Sequence, residues 1–90
     1  MARSRRAYAQ RYLQKAEAGE SVAQLKLGLL YSTGQKGVPL DYVTAHKWLN
    51  LAAVRGSGEA KLLRTELAGV MSREEISEAQ RQAREWVSTH

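Results

Sequence analysis

Cysteine and long apolar segments are both missing from this chain of 90 residues. Without cysteine, neither disulfide bonds nor thiolate metal sites can form, and the redox compartment cannot be inferred directly. Apart from Leu27–Tyr31, which contains a glycine, the longest apolar run is Leu51–Val54. Because a membrane helix needs about 20 such residues, we expect a soluble protein that stays in the cytoplasm and does not bind a membrane.

Histidine is also scarce, and this limits the chemistry that the chain can carry out. His46 and His90 are the only two histidines. We expect His46 on the outer face of its helix, and no second strong ligand stands near it, so no metal site is predicted. We find no pair of nucleophile and base. The sequence therefore predicts a protein without enzymatic activity, cofactor or metal.

The net charge of +5 is distributed unevenly along the chain. From Glu17 onward nine basic and nine acidic residues cancel, and no acidic residue precedes Glu17. The excess is carried by Arg3, Arg5, Arg6, Arg11 and Lys15. Such a basic arm could touch nucleic acid, an anionic membrane or an acidic partner, or it could be a solvated tail that maintains solubility.

Apolar residues recur at helical spacing along the whole chain, and no segment alternates for long enough to predict a strand. An opening helix is indicated by Tyr8, Tyr12 and Ala16. The four later faces are Ala23, Leu27, Leu30 and Tyr31; Ala45, Trp48, Leu49 and Ala52; Ala60, Leu63, Leu67 and Val70; and Ile76, Ala79, Ala83 and Trp86. We therefore predict an all-α fold of about five helices.

Capping residues and one long loop separate these helices. Asp41 stands where its carboxylate can accept the first free N–H groups of a helix. Ser72 and Glu75 have the spacing of a capping box, which predicts the start of the last helix. The longest loop is predicted at Thr33–Leu40, where Pro39 disfavours helix in the residue before it.

One pattern of residues occurs twice, thirty-seven positions apart. Gly19 and Gly56 hold the same place in it, each where a left-handed residue can end a helix. The matching positions are Ala16, Gly19, Ala23, Leu25 and Leu30, followed by Ala53, Gly56, Ala60, Leu62 and Leu67. A period in the thirties is typical of repeats that are built from pairs of helices.

Two residues of the first unit are predicted to have packing roles. Glycine costs about 1 kcal/mol relative to alanine inside a helix, so we expect Gly28 to permit the close approach of a paired helix. Trp48 lies on an apolar face at helical spacing, and we expect it, together with Tyr31, to fill the space between helices. These aromatic residues are therefore predicted to form core and not a ligand site.

The markers of the first unit form a long ordered set: Ala16, Gly19, Ala23, Gln24, Leu27, Gly28, Tyr31, Gly34, Gly37, Val38, Asp41, Ala45, Trp48, Ala52, Ala53 and Gly56. This set resembles the Sel-one-like repeat, a helix-pair repeat of the tetratricopeptide-like superfamily. The likeness covers one full repeat, Ala16–Val54, and the first helix of a second, Gly56–Leu67. The segment from Met71 is similar to the closing helix of many bacterial members. Gln35 and Lys36 stand where the family's loop has one residue.

The resemblance implies a short α-solenoid of antiparallel helix pairs that acts as an adaptor or scaffold for another protein. Members of such families often bind partners through the concave surface that the first helix of each pair lines. The polar positions left free on those helices are the predicted contact residues: Gln24, Lys26, Lys61 and Arg64.

The chain divides into three predicted parts: a basic arm with an opening helix at residues 1–15, the repeat region at residues 16–70, and a capping helix at residues 71–90. Arrays normally need about three repeats, so the opening helix could pair with a second copy to give a homodimer, or with another protein or peptide. The alternative function is association with nucleic acid through the arm residues Arg3, Arg5, Arg6 and Arg11.

Overall fold

Helices account for most of the chain that the structure describes. The computed structural model describes residues 6–90, with side chains from Tyr8 onward. Within this range the chain forms five α-helices and no strand, so the all-α prediction is confirmed. The helices are α1 (Arg6–Glu17), α2 (Ser21–Thr33), α3 (Tyr42–Val54), α4 (Gly58–Ala68) and α5 (Arg73–Thr89), with a short 3-10 helix at Gln35–Gly37 between α2 and α3.

The predicted caps begin α3 and α5. The carboxylate of Asp41 accepts a hydrogen bond from the Thr44 N–H at 3.1 Å, which satisfies one of the free donors at the start of α3. At α5 the Glu75 N–H donates to the Ser72 hydroxyl at 3.1 Å, and the Ser72 N–H donates to the Glu75 carboxylate at 2.9 Å. This reciprocal pair is the predicted capping box.

The same turn ends α1 and α3. Gly19 and Gly56 have φ angles of 94° and 103°, which favour glycine because a side chain would be strained there. The next residue in each turn donates its N–H to the carbonyl five positions earlier, from Glu20 to Lys15 at 3.0 Å and from Ser57 to Ala52 at 3.1 Å. The repeat spacing read from the sequence is thus matched by two equivalent helix ends.

Helix α3 is the central element of the fold. It packs against α2, α4 and α5, while α1 packs against α2. One side of α3 contributes Trp48 to a core shared with α1, α2 and α5, where the Trp86 ring meets Trp48 nearly edge-on with 6.1 Å between centroids. The other side contributes Leu49 to a second core with α4. Trp48 is therefore a core residue, as predicted.

Gly28 permits the close contact between α2 and α3. A Cβ atom at this position would lie 2.5 Å from Cδ2 of Leu49, closer than real Cβ contacts allow. Leu49 is itself buried, so it has little room to move away. The predicted role of Gly28 as a site of close helix approach is confirmed.

For two residues the prediction of burial or exposure is wrong. Helix α4 ends at Ala68, so Val70 falls in the following turn and is 67% exposed instead of continuing the apolar face. His46 was expected on the outer face of α3 but is only 3% exposed. Burial lowers the pKa of His46, and the nearby Arg64 guanidinium on α4 lowers it further.

Candidate binding groove

Gln24, the first of the predicted contact residues, belongs to the core. Its side chain has no solvent exposure, and Nε2 donates a hydrogen bond to the Ala16 carbonyl at 3.1 Å. Ala16 lies in the last turn of α1, where carbonyl groups lack helical partners. The prediction that Gln24 is available to a partner is therefore wrong, because α1 covers the face of α2 on which it lies.

The other three predicted contact residues do not share one role. Arg64 is half-buried and donates from Nη1 to the Asn50 side chain, so it joins α4 to α3. Lys26 is half-buried, with its ammonium 5.8 Å from the centre of the Tyr12 ring. Lys61 is exposed. Gln24 is thus held in the core and Arg64 in a hydrogen bond between helices. Lys26 and Lys61 are held in neither way.

The residues of the predicted basic arm are only partly described. Arg3 and Arg5 lie outside the described residues, and α1 begins at Arg6, whose side chain also lies outside them. Arg11 is exposed on α1, and its guanidinium carbon lies 5.9 Å from the centre of the Tyr8 ring. Among Arg3, Arg5, Arg6 and Arg11, the structure therefore describes the side chain of Arg11 alone.

A groove of about 420 Å³ lies between α1 and the loop that joins α2 to α3. Most of the side chains along it are apolar, and Leu27 and Val38 at its base are buried. Its lining consists of Ala9, Gln10 and Leu13 from α1, Leu27 and Tyr31 from α2, and Gly37, Val38, Pro39 and Asp41 from the loop. Clefts that bind ligands have volumes of about 300–1,000 Å³, so this groove is large enough to hold side chains of a partner.

The loop wall of the groove is held in place by hydrogen bonds and by a buried side chain. Gly34 ends α2 at a φ of 68°, donating its N–H to the Leu30 carbonyl at 2.9 Å. At the far end of the loop, the Asp41 N–H donates to the Tyr31 carbonyl at 2.9 Å. Between these two points Val38 is 4% exposed and packs into the core. Pro39 beside it remains exposed and forms the rim.

Asp41 is the only carboxylate that lines the groove, and both of its oxygens are already engaged. Oδ1 accepts from the Thr44 N–H at 3.1 Å, and Oδ2 accepts from the Thr44 hydroxyl at 2.7 Å. The carboxylate thereby caps α3 and complements the positive end of its dipole. The remaining lining offers apolar surface, the half-buried Tyr31 side chain and one exposed amide, Gln10.

Two basic side chains next to the groove, one on α1 and one on the loop, contact the same aromatic ring. Arg11 extends from α1, one residue after the lining residue Gln10. Lys36 extends from the loop, one residue before the lining residue Gly37. Both meet the Tyr8 ring, with the Arg11 guanidinium carbon at 5.9 Å and the Lys36 ammonium at 5.6 Å from its centre. Two positive charges therefore lie within 6 Å of the centre of the Tyr8 ring, beside the groove.

Sequence reasoning did not identify the groove. The available signal was the apolar run Val38–Leu40, which is unusual in a loop that also contains Gly34 and Gly37. Helical spacing predicts the opening helix from Tyr8, Tyr12 and Ala16, but spacing within one helix does not indicate which loop lies beside it. The groove forms because α1 packs beside the loop from α2 to α3, and this contact exists only in the folded chain.

Residues 6–90 contain no group of three or more histidine, cysteine or acidic side chains arranged to hold a metal ion. None of the helices described for this range combines the length and the apolar character needed to cross a membrane. The groove is the feature that remains for functional interpretation.

Neither a scan against protein-family models nor a search of curated proteins found a match to this chain. The resemblance to the Sel-one-like repeat therefore rests on the motif residues of the sequence. The helical fold is consistent with a repeat of helix pairs but does not by itself define a family.

Proposed function

We propose that the protein is a small, non-catalytic interaction module of the Sel-one-like repeat type that acts in the cytoplasm and binds a segment of another protein. The groove between α1 and the loop from α2 to α3 is the proposed binding site. The observation that carries this proposal is an apolar groove of about 420 Å³ whose only carboxylate, Asp41, is already used as a helix cap.

The groove is a better candidate than the exposed lysines of the first helices. Most binding energy at protein interfaces comes from a few side chains that are desolvated in well-packed pockets. An exposed ion pair with Lys26 or Lys61 would contribute only about 0–1 kcal/mol. Apolar walls such as Leu13 and Tyr31 can desolvate a side chain of the partner, so we place the main contact there.

The loop wall is also prepared for binding before a partner arrives. Val38 anchors the middle of the loop in the core, and the hydrogen bond from Asp41 to Tyr31 fixes its end. A wall that is already ordered loses little conformational freedom on binding, and this favours affinity. The proposal therefore requires no rearrangement of α1 or the loop.

Site-specific photo-crosslinking tests this proposal. A photoreactive amino acid is placed at Gln10, an exposed residue of the groove, and in a second variant at Val54, which is exposed at the other end of α3. In cell lysate we expect one protein to be crosslinked reproducibly from position 10. That protein should not be crosslinked from position 54. The partner is then identified by mass spectrometry and purified.

Binding of the purified partner is the deciding measurement. Pro39→Glu introduces a charge on the exposed rim and should weaken binding strongly, while Pro39→Ala and Val54→Glu serve as controls for loop conformation and for surface charge. Equal binding by the Pro39→Glu and Val54→Glu variants would contradict the proposed site. Binding of a nucleic acid in place of a protein, with affinity that falls steeply as salt rises, would favour the alternative function.

A further inference from the structure

We propose that the segment bound by the groove is acidic: it places a bulky apolar side chain between α1 and the loop and directs its carboxylates toward Arg11 and Lys36. This inference rests on the proposed function, since it concerns the chemistry of the partner at the same groove. It adds a class of partner that the apolar walls alone do not specify.

The apolar part of the inference follows from the lining. Leu13 from α1 and Tyr31 from α2 are half-buried, and the exposed Pro39 faces them from the loop. Removing apolar surface from water is favourable roughly in proportion to the area that a partner covers. A leucine, isoleucine, phenylalanine or tryptophan side chain is therefore the natural anchor.

The acidic part follows from charges that converge on one aromatic ring. Arg11 and Lys36 come from different walls of the groove, yet both lie within 6 Å of the centre of the Tyr8 ring. Neither forms a salt bridge among the residues that the structure describes. A guanidinium has five N–H donors and an ammonium has three, so both can bind carboxylates while they remain over the ring.

Asp41 contributes one negative charge to the lining, and the two positive charges of Arg11 and Lys36 outnumber it. The two oxygens of Asp41 both accept hydrogen bonds from Thr44, and the carboxylate faces the start of α3. In the sequence as a whole the excess of basic residues falls in the first sixteen positions, the segment that also supplies the α1 wall. The charge pattern therefore favours an acidic occupant over a neutral one.

A second copy of this chain fits the groove less well than an acidic segment. Its net charge is +5, and a two-fold dimer through α1 would bring the basic residues of both copies together. Like charges placed together across an interface oppose association. Light scattering over a range of concentrations should accordingly report a monomer, and a dimer that dissociates when Gln10→Arg is introduced would overturn the inference.

A random peptide library displayed on phage tests the chemistry of the occupant. Peptides are selected on the unmodified protein and counter-selected on the Leu13→Gln variant, which removes apolar surface from the groove without changing its charge, so that groove-dependent binders are retained. We expect the retained peptides to have a net negative charge and at least one leucine, isoleucine, phenylalanine or tryptophan. Circular dichroism of the variant confirms that the selection compares folded proteins.

The most enriched peptide is then synthesised with a fluorescent label and titrated with charge variants. Arg11→Gln combined with Lys36→Gln should weaken binding about three- to tenfold at low salt, and the difference should shrink as salt is added. Lys61→Gln, which removes an exposed positive charge on α4, is the matched control and should bind with unchanged affinity.

The two proposals fail in different ways in this experiment. Groove-dependent enrichment of neutral or basic peptides would overturn the acidic inference and leave the proposed function standing. Enrichment of peptides that bind the unmodified protein and the Leu13→Gln variant equally would overturn both. An acidic peptide whose affinity is insensitive to loss of Arg11 and Lys36 would show that its carboxylates lie elsewhere.

Discussion

The side-chain amide of Gln24 donates a hydrogen bond across 3.1 Å to the main-chain carbonyl of Ala16, from a position with no solvent exposure. This bond ties α2 to the last turn of α1. Thirty-seven residues later the same position of the pattern is held by Lys61, which is exposed. One position of the repeat therefore lies in the core in the first unit and on the surface in the second.

Replacing Gln24 should weaken the attachment of α1. Gln24→Ala removes this buried hydrogen bond, although the Ala16 carbonyl still accepts from the Gly19 N–H at 3.0 Å, and a typical hydrogen bond contributes about 0.5–1.5 kcal/mol. We expect a loss of that size in the free energy of unfolding, measured by urea denaturation, with faster amide exchange in α1. Lys61→Ala, at the equivalent surface position, is the control, and an equal loss in both variants would contradict the assignment.

Adding a methyl group at Gly28 should destabilise the protein although alanine is the better helix former. The new Cβ would meet Leu49 at 2.5 Å, and overpacking of this kind typically costs about 1–3 kcal/mol, against a gain of about 1 kcal/mol in helix propensity. We expect a net loss of about 1 kcal/mol in denaturant titrations.

Gly58 in the first turn of α4 provides the matched control for this substitution. A Cβ atom there would have no neighbour within 4 Å, so Gly58→Ala should be neutral or stabilise the protein by up to about 1 kcal/mol. Should Gly28→Ala prove as stable as Gly58→Ala, the close approach of α2 and α3 would have to be rejected.

Truncation of Trp48 should come close to abolishing the fold. The side chain is 3% exposed and contacts the Trp86 ring, and replacement of a buried aromatic by alanine costs about 3–5 kcal/mol. Small domains have little stability in reserve, so we expect a large fall in the thermal midpoint followed by circular dichroism. Val54→Ala, at a site that is 76% exposed, should melt close to the parent.

Acidification should destabilise the protein through His46. Burial lowers the pKa of His46 in the folded state, and Arg64 lowers it further, so below about pH 6.5 the unfolded chain binds a proton that the folded chain excludes. The contribution to stability is therefore complete above about pH 6.5 and is lost as the pH falls toward the folded pKa. One proton can make this slope at most about 1.4 kcal/mol per pH unit.

Denaturant titrations from about pH 8 to about pH 5 measure this effect. His46→Gln should remove most of the slope in that range. His90→Gln removes the second histidine, which lies at the end of α5, and provides the control. If the slope persists in His46→Gln and disappears in His90→Gln, the assignment of the pH dependence to His46 is wrong.

Sequence alone was sufficient where a structure depends on residues a few positions apart. The capping box of Ser72 and Glu75, the Asp41 cap and the glycine ends of α1 and α3 all formed as predicted. Each is set by hydrogen bonds or backbone angles within about one helical turn, so the local sequence contains the necessary information. The spacing of apolar residues determined the helical class of the fold in the same way.

Tertiary structure alone decided which polar residues are buried and where a partner could bind. Gln24 and His46 have polar side chains, and only the covering helices place them in the core. Arg11 and Lys36 are twenty-five positions apart, and the packing of α1 beside the loop brings both to Tyr8. Burial and convergence arise from contacts between helices that are distant along the chain, and local preferences do not specify those contacts.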